Sequence, residues 1–257
     1  MSRAQDKHAL YLRAVQSPVM DVETLGRVYR RLRGRDAVSL REDFAGSAAI
    51  SAAWVESDDE REAHSVDLDA ALFRWAERHV LSELDDVERE RVTLACADVR
   101  VPSARSFDLI LAPNFSWALF DDADLIAYLE AATRSLDEGG VLALEVFGGA
   151  ALRGELVHRH RLPGFTYVWE QRRFDAEREV LDASIHFECD DGSILRDAFR
   201  YSFRLRGREA MTSLFARAGL AGPRLFVVDA RGRAREAAKD PARDVWNGYW
   251  VATPAGC

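Results

Sequence analysis

Residues 37–55, AVSLREDFAGSAAISAAWV, constrain the fold more than any other stretch of the chain. Val38 to Leu40 read as a short buried strand, and Glu42 and Asp43 put two carboxylates at its end. Phe44-Ala45-Gly46-Ser47-Ala48 form a turn of mostly small residues, after which Ile50, Ala53 and Trp54 recur at helical spacing. A strand that passes through so tight a turn into a helix belongs to an α/β layer, where ligands bind beyond the carboxyl ends of the strands. The turn holds one glycine, so it lacks the G-x-G-x-x-G of dinucleotide sites, and no lysine follows to make a phosphate-binding loop. A carboxylate at the strand end repels a pyrophosphate but suits ribose hydroxyls or a cation. The ligand implied bears adenosine and little phosphate.

The rest of the chain repeats this alternation. HSVDLD predicts a second strand ending at Asp67, with Asp69 as N-cap of a helix over 70–84. VTLACAD (92–98) is the third strand, with Asp98 at its end, and the apolar run FDLILAP (107–113) reads as a central parallel strand. Asp121 or Asp122 then caps a helix carrying Leu125, Ile126, Leu129 and Leu136, stopped by Gly139-Gly140, and VLALEVFGG is the fifth strand. Two helices, 6–16 and 20–33, precede the first strand; Pro18 separates them and Gly34 ends the second. After the fifth strand FTYVWEQRRF, VLDASIHFEC and ILRDAFRYSFRL predict three inserted antiparallel strands, a lid or an oligomer surface. A helix over 208–218 follows, then RLFVVD and VWNGYWVA as an antiparallel pair joined by a basic loop, 231–243. The expectation is an α/β, Rossmann-like sheet in one domain over 1–257. Its parts are a helical cap (1–36), a ligand-binding core (37–150), the β insertion (151–206) and a closing helix and strand pair (207–257).

With 35 basic and 43 acidic residues the formal charge is −8, which argues against a nucleic-acid backbone as the main partner. Cys96, Cys189 and Cys257 are widely spaced and form no CxxC, as expected of reduced thiols in a cytoplasmic protein. No signal peptide and no apolar run of membrane-spanning length is visible, so no membrane partner is expected. His158 and His160, with His186 and Asp190, match no standard metal spacing, and no metal is expected. There is no G-x-S-x-G elbow for a serine hydrolase.

The residues around the first turn resemble class I S-adenosylmethionine (SAM)-dependent methyltransferases, whose first motif is an acidic residue followed by x-G-x-G-x-G. Glu42 takes the acidic place and Gly46 that of the middle glycine, while Phe44 and Ala48 stand where the outer glycines usually are. The wording REDF-x-G-[ST], the tetrad Asn114-Phe115-Ser116-Trp117, and a Y-x-x-A-V-Q segment (Tyr11, Ala14, Val15, Gln16) are similar to a small-molecule branch of that family. The resemblance implies a SAM site built from Arg41, Glu42, Phe44, Ala45, Gly46, Asp67, Leu68, Asp98, Val99, Asn114 and Phe115. In it Asp67, about 20 residues past the turn, takes the ribose hydroxyls. Asp98 takes the adenine amino group or merely caps its loop, and Val99 reads the ring. Tyr11, Gln16, Trp117 and Trp169 are expected at the acceptor, although Tyr11 equally suits packing. The chain lacks the N-P-P-Y of base-modifying enzymes, which points away from a flipped base.

These residues imply methyl transfer to an N or O atom of a small molecule by a monomer or homodimer. No residue declares itself as a general base; Tyr11, Tyr167, His186 and Tyr201 are candidates by chemistry alone. Two other readings stay open: a non-catalytic SAM-binding or interaction protein on the same fold, and a nicotinamide-dependent oxidoreductase.

Overall fold

The computed structural model describes residues 6–256 and divides into two compact units. Cys257 lies outside the described residues.

The larger unit comprises residues 17–147, 207–241 and 246–256. It opens with α2 (Pro18–Arg33), then β1 (Ser39–Asp43), α3 (Ala49–Glu56), β2 (Glu62–Asp67), α4 (Ala70–His79), α5 (Asp86–Glu90) and β3 (Val92–Cys96). β4 (Phe107–Ala112), α6 (Asp122–Arg134) and β5 (Leu136–Gly148) follow, and α7 (Arg208–Arg217), β10 (Arg224–Val228), β11 (Ala234–Ala237) and β12 (Trp246–Ala252) complete the unit. Its strands form one eight-stranded sheet in the order β11-β10-β12-β5-β4-β1-β2-β3. The ladders from β5 to β3 are parallel, and β10 runs antiparallel to β11 and β12. β1 and β4 are neighbours, and successive strands are laid down outward from them in opposite directions. Their carboxyl ends therefore lie at the point where strand order reverses, the favoured place for a ligand crevice.

Local chemistry explains the element ends. The fully buried strand β4 still carries Asp108, whose carboxylate accepts from Tyr29 Oη (3.0 Å), Arg35 Nη2 (2.6 Å) and the amides of Val38 and Ser39. One carboxylate thus closes the α2–β1 connection onto the central strand. The helix expected over 70–84 ends at His79; Leu81–Glu83 is a 3-10 turn, and a capping box of Asp85 and Glu88 starts α5. Gly139-Gly140 does not stop α6, which ends at Arg134; both glycines lie within β5. At Gly140 a Cβ would meet the Phe107 carbonyl oxygen at 2.8 Å, so the position serves close strand approach. The basic loop 231–243 contains β11, whose Glu236 is paired with Arg224 on β10.

The smaller unit comprises residues 6–16, 148–206 and 242–245. Four antiparallel strands, β6 (Leu156–Leu162), β7 (Phe165–Asp175), β8 (Val180–Cys189) and β9 (Ile194–Arg204), pair in sequence order. Helix α1 (Lys7–Val15) packs Leu10, Tyr11, Ala14 and Val15 against Phe165, Ile185 and Phe187 of that sheet. Four inserted strands stand where three were expected. β6 escaped detection because six of its seven residues are exposed, so no apolar alternation marks it. The N-terminal cap expected over 1–36 is also divided, α1 belonging to the smaller unit and α2 to the larger. Among the described residues no helix is long and apolar enough to cross a membrane.

Candidate active site at the carboxyl ends of β1, β2 and β4

The turn after β1 is built on backbone conformations that glycine prefers. Gly46 has φ +53°, and Phe44 and Ala48, standing at the glycine places of the motif, adopt φ +55° and +54°. The substitutions therefore keep the left-handed path instead of straightening it, at a cost of about 1–2 kcal/mol each. The Phe44 ring offsets part of this by packing against Phe120 and Tyr128, centroids 5.5 and 5.6 Å away. The loop after β4 repeats the device: Asn114 and Phe115 have φ +56° and +59°. Four of the six left-handed non-glycine residues among those described thus sit at the ends of two adjacent central strands, and backbone strain of this kind clusters at ligand sites.

Side chains hold these turns in place. Asp67, ending β2, accepts the Gly46 amide on Oδ2 and the Asp69 amide on Oδ1, each at 2.9 Å. Asp69 caps α4 through the amides of Ala71 and Leu72, as expected. Leu68 between them is 70% exposed, an apolar side chain open beside a half-buried carboxylate. Asp98 accepts from two guanidinium nitrogens of Arg100, Nε and Nη2, and also from the Arg100 amide. The arginine keeps the Asp98 carboxyl below its ordinary range. The capping role expected of Asp98 is thus present in the structure, and its acceptor capacity is shared with a cation.

Several expected site residues lie beneath the surface. Arg41 is buried, donating to Asp43 (2.7 Å), Ser135 Oγ (3.1 Å) and the Val99 carbonyl (3.0 Å). Its side chain supports the turns instead of facing a ligand. Ala45 and Val99 are buried as well. Trp117, expected to line the acceptor, is 2% exposed and donates its indole N–H to the Glu145 carbonyl (2.6 Å). It braces the end of β5 from below. Glu42 is fully buried; Oε2 accepts from the Ser51 amide (2.8 Å) and hydroxyl (2.6 Å), while Oε1 has no hydrogen-bond partner among the described residues. Burial pushes its carboxyl up to about 7.

The candidate bases lie in the smaller unit, where the three tyrosines converge and His186 stands apart. Tyr11, Tyr167 and Tyr201 belong to the cluster between α1 and the sheet, together with Trp169 and Phe199, and Gln16 is the C-cap of α1. Burial raises the Tyr167 phenol and lifts Tyr201 to about 12, so both stay protonated at neutral pH and can donate but not accept a proton. His186 pairs across from Val168 and so points to the opposite sheet face from Tyr167 and Trp169. Its Nδ1 accepts the Asp197 amide (2.8 Å), which puts a proton on Nε2, facing Glu170 (3.0 Å). Glu170, His186 and Asp197 converge to within 4.8 Å, but Arg172 bridges both carboxylates and the imidazole has no free lone pair. That cluster is an ion-pair network, not a cation site.

One residue at the mouth was missed. Glu145 on β5 is half-buried, and its Oε2 accepts the Asn114 amide (2.5 Å), holding the strained loop after β4. The available signal was a lone carboxylate inside the apolar run VLALEVF.

No family model matches the sequence, and no curated protein matches it. Solved structures do match. A SAM-dependent methyltransferase from Clostridium acetobutylicum superposes with TM-score 0.71 at 20% identity, covering 97% of this chain and 98% of its own. The fold is the class I methyltransferase fold. A SAM-bound amino pentose methyltransferase of calicheamicin biosynthesis from Micromonospora echinaspora gives TM-score 0.71 at 19% identity, covering 99% of each chain. A sugar N-methyltransferase from Streptoalloteichus sp. gives 0.65 at 22%, covering 96% of this chain and 94% of that one. These class I structures match over nearly their whole length, insertion included.

Proposed function

We propose that the protein is a SAM-dependent methyltransferase acting on an N or O atom of a small molecule. The observation that carries this reading is the mouth itself: a left-handed, single-glycine turn tied through the Gly46 amide to the Asp67 carboxylate, above a buried Glu42 oxygen without a partner. These residues fit the cofactor that the fold implies. Asp67 keeps acceptor capacity for ribose hydroxyls, Leu68 offers an uncovered apolar side chain to the adenine, and Glu42 has an unpaired oxygen suited to an ammonium. When bound, SAM supplies a methyl carbon made electrophilic by its sulfonium.

The chain's own work is then to bind, orient and exclude water, and alignment of reactants alone can contribute about 7–11 kcal/mol. Arg41 ties the Val99 carbonyl to Asp43 at the end of β1, so the loop that reads the adenine is fixed by one buried guanidinium. Asn114 and Phe115 are held by Glu145 and by the Phe147 ring (4.3 Å), which keeps the loop after β4 in its strained form. Two structural neighbours are an amino pentose methyltransferase and a sugar N-methyltransferase, and this reading extends small acceptors of that kind to the present chain. A cytoplasmic setting, where Cys96 and Cys189 stay free thiols, and a monomeric or homodimeric state belong to the same reading.

Titration calorimetry tests it. S-adenosylhomocysteine should bind with a Kd in the micromolar range (about −8 kcal/mol), and NAD should not. NAD binding more tightly than S-adenosylhomocysteine would overturn the assignment.

A further inference from the structure

Building on the methyltransferase reading, we infer that Ser51 and Ser65 are positioning residues: a buried hydroxyl relay from β2 through α3 fixes the Glu42 carboxylate and leaves one of its oxygens for the cofactor's ammonium. The three side chains are fully buried, and each comes from a different element of the larger unit. Ser65 Oγ on β2 donates to Ser51 Oγ (2.7 Å), and Ser51 Oγ in the first turn of α3 donates to Glu42 Oε2 (2.6 Å). The Ser51 amide donates to the same oxygen (2.8 Å). Glu42 and Ser65 are also register partners between β1 and β2.

The direction of the relay decides the state of the carboxylate. An amide can only donate, so Oε2 must remain an acceptor, and both hydroxyls line up their protons towards it. A proton on Glu42 would therefore sit on Oε1, which has no hydrogen-bond partner among the described residues. A buried polar group left unpaired costs about 1–3 kcal/mol, so the arrangement suits a carboxylate completed by a donor from outside the chain. The charged groups that act on Glu42 are Asp21 on α2 and Asp67 on β2, both acidic, so a cationic donor is the better match. The same contacts hold the cofactor turn. Ala48, the N-cap of α3, makes no side-chain cap, and Glu42 supplies one from β1 through the Ser51 amide. The relay thus pins both ends of the 44–48 turn, while Asp67, two residues beyond Ser65, pins its middle through the Gly46 amide.

This role makes cofactor binding depend on pH. Burial pushes the Glu42 carboxyl up to about 7, and the Ser51 hydroxyl and amide hold it from rising further. Glu42 therefore passes from acid to carboxylate near neutral pH, and only the carboxylate attracts an ammonium. Affinity for the amino-acid end of the cofactor should rise as pH climbs through that value. Removing the Ser51 hydroxyl takes away a donor to the charged form, so the same rise moves to higher pH. A serine that merely packs would change affinity alike at every pH.

The test is titration calorimetry of the full chain with S-adenosylhomocysteine and with methylthioadenosine, which keeps the adenosine and the thioether but lacks the ammonium. Between about pH 7.5 and pH 5.5 S-adenosylhomocysteine should lose about 10-fold in affinity, as a contact to a group ionising near 7 requires. Methylthioadenosine should bind alike at both. Ser51→Ala should move the midpoint of the S-adenosylhomocysteine profile upward by at least about half a pH unit and weaken binding at neutral pH. Ser65→Ala keeps both hydrogen bonds to Glu42 and should move the midpoint the same way by less, and it carries the comparison if Ser51→Ala does not fold. Neither variant should change the affinity for methylthioadenosine. Should S-adenosylhomocysteine fail to bind wild type at any pH, the methyltransferase reading falls and this inference with it. If it binds with an affinity that does not vary with pH, if methylthioadenosine varies in the same way, or if the variants keep the wild-type midpoint, only the relay is overturned.

Discussion

Asp67 and Asp69 are two residues apart and carry identical groups in different roles. Asp67 uses one oxygen to fix the Gly46 turn and the other to fix its own loop. Replacing it with Ala should weaken S-adenosylhomocysteine binding by about 1.5–3 kcal/mol, roughly 10- to 150-fold. Asp69→Ala should leave that affinity nearly unchanged and lower stability by about 1 kcal/mol, because only the cap of α4 is lost. Calorimetry and urea melts on the two variants separate these outcomes, and equal binding by wild type and Asp67→Ala would remove Asp67 from the site. Ala48 offers a second check. It is fully buried at φ +54°, so glycine there would relieve strain while losing a methyl group. Ala48→Gly should cost no stability, whereas the same change inside a helix costs about 1 kcal/mol. These aspartates and the turn were legible because strand-end position and spacing are local properties. Glu145 was not, since its partner Asn114 lies in the loop after β4, 31 residues away.

At the scale of elements, β1 is held by two buried polar knots. Arg41 and Asp43 share one face of the strand and find each other, Ser135, Val99 and Tyr128 in the interior, while Glu42 on the other face accepts from Ser51. Arg41→Leu would strand the Asp43 carboxylate with only Tyr128 as partner. Leaving one member of a buried pair unmatched should cost about 3–5 kcal/mol, read as a loss of urea midpoint. The cofactor contact expected of Arg41 came from its place beside the motif, and only packing shows which way the guanidinium turns. The insertion makes the same point. Its three aromatic strands announce themselves by alternation, whereas β6 is a charged edge strand that pairs along its length with β7 and has no buried face to read. Likewise His186 lies on the strand next to that of Tyr167, yet strand parity sends it to the opposite face.

For the whole molecule, the uncompensated carboxylates make stability depend on pH. In the folded state burial lifts Asp21 to about 6, Glu42 to about 7 and Glu145 to about 8. A carboxyl with a raised folded-state value binds its proton more tightly folded than unfolded. Its contribution is fully present below the unfolded value of about 4 and is lost as pH rises through the folded one. The unliganded protein should therefore lose stability between pH 5 and pH 8.5, by an amount on the order of a few kcal/mol. Asp43, buried with Arg41, is likewise lifted to about 6, whereas Asp98 and Asp108 are shifted the opposite way and act only at more acidic pH. Thermal melts across the range should show the fall, and Glu145→Gln should flatten its upper part near pH 7–8; a melting temperature that rises over this interval would contradict the assignment. Sequence alone determined the parallel α/β sheet, the strand-end turn and the Asp67 position, because hydrophobic period and turn chemistry act over a few residues. Tertiary structure alone decided that Arg41 and Trp117 are buried, and that burial keeps Tyr167 and Tyr201 protonated. It also buried Glu42 and set Glu145 against the Asn114 amide, because burial and hydrogen-bond partners depend on which strands become neighbours.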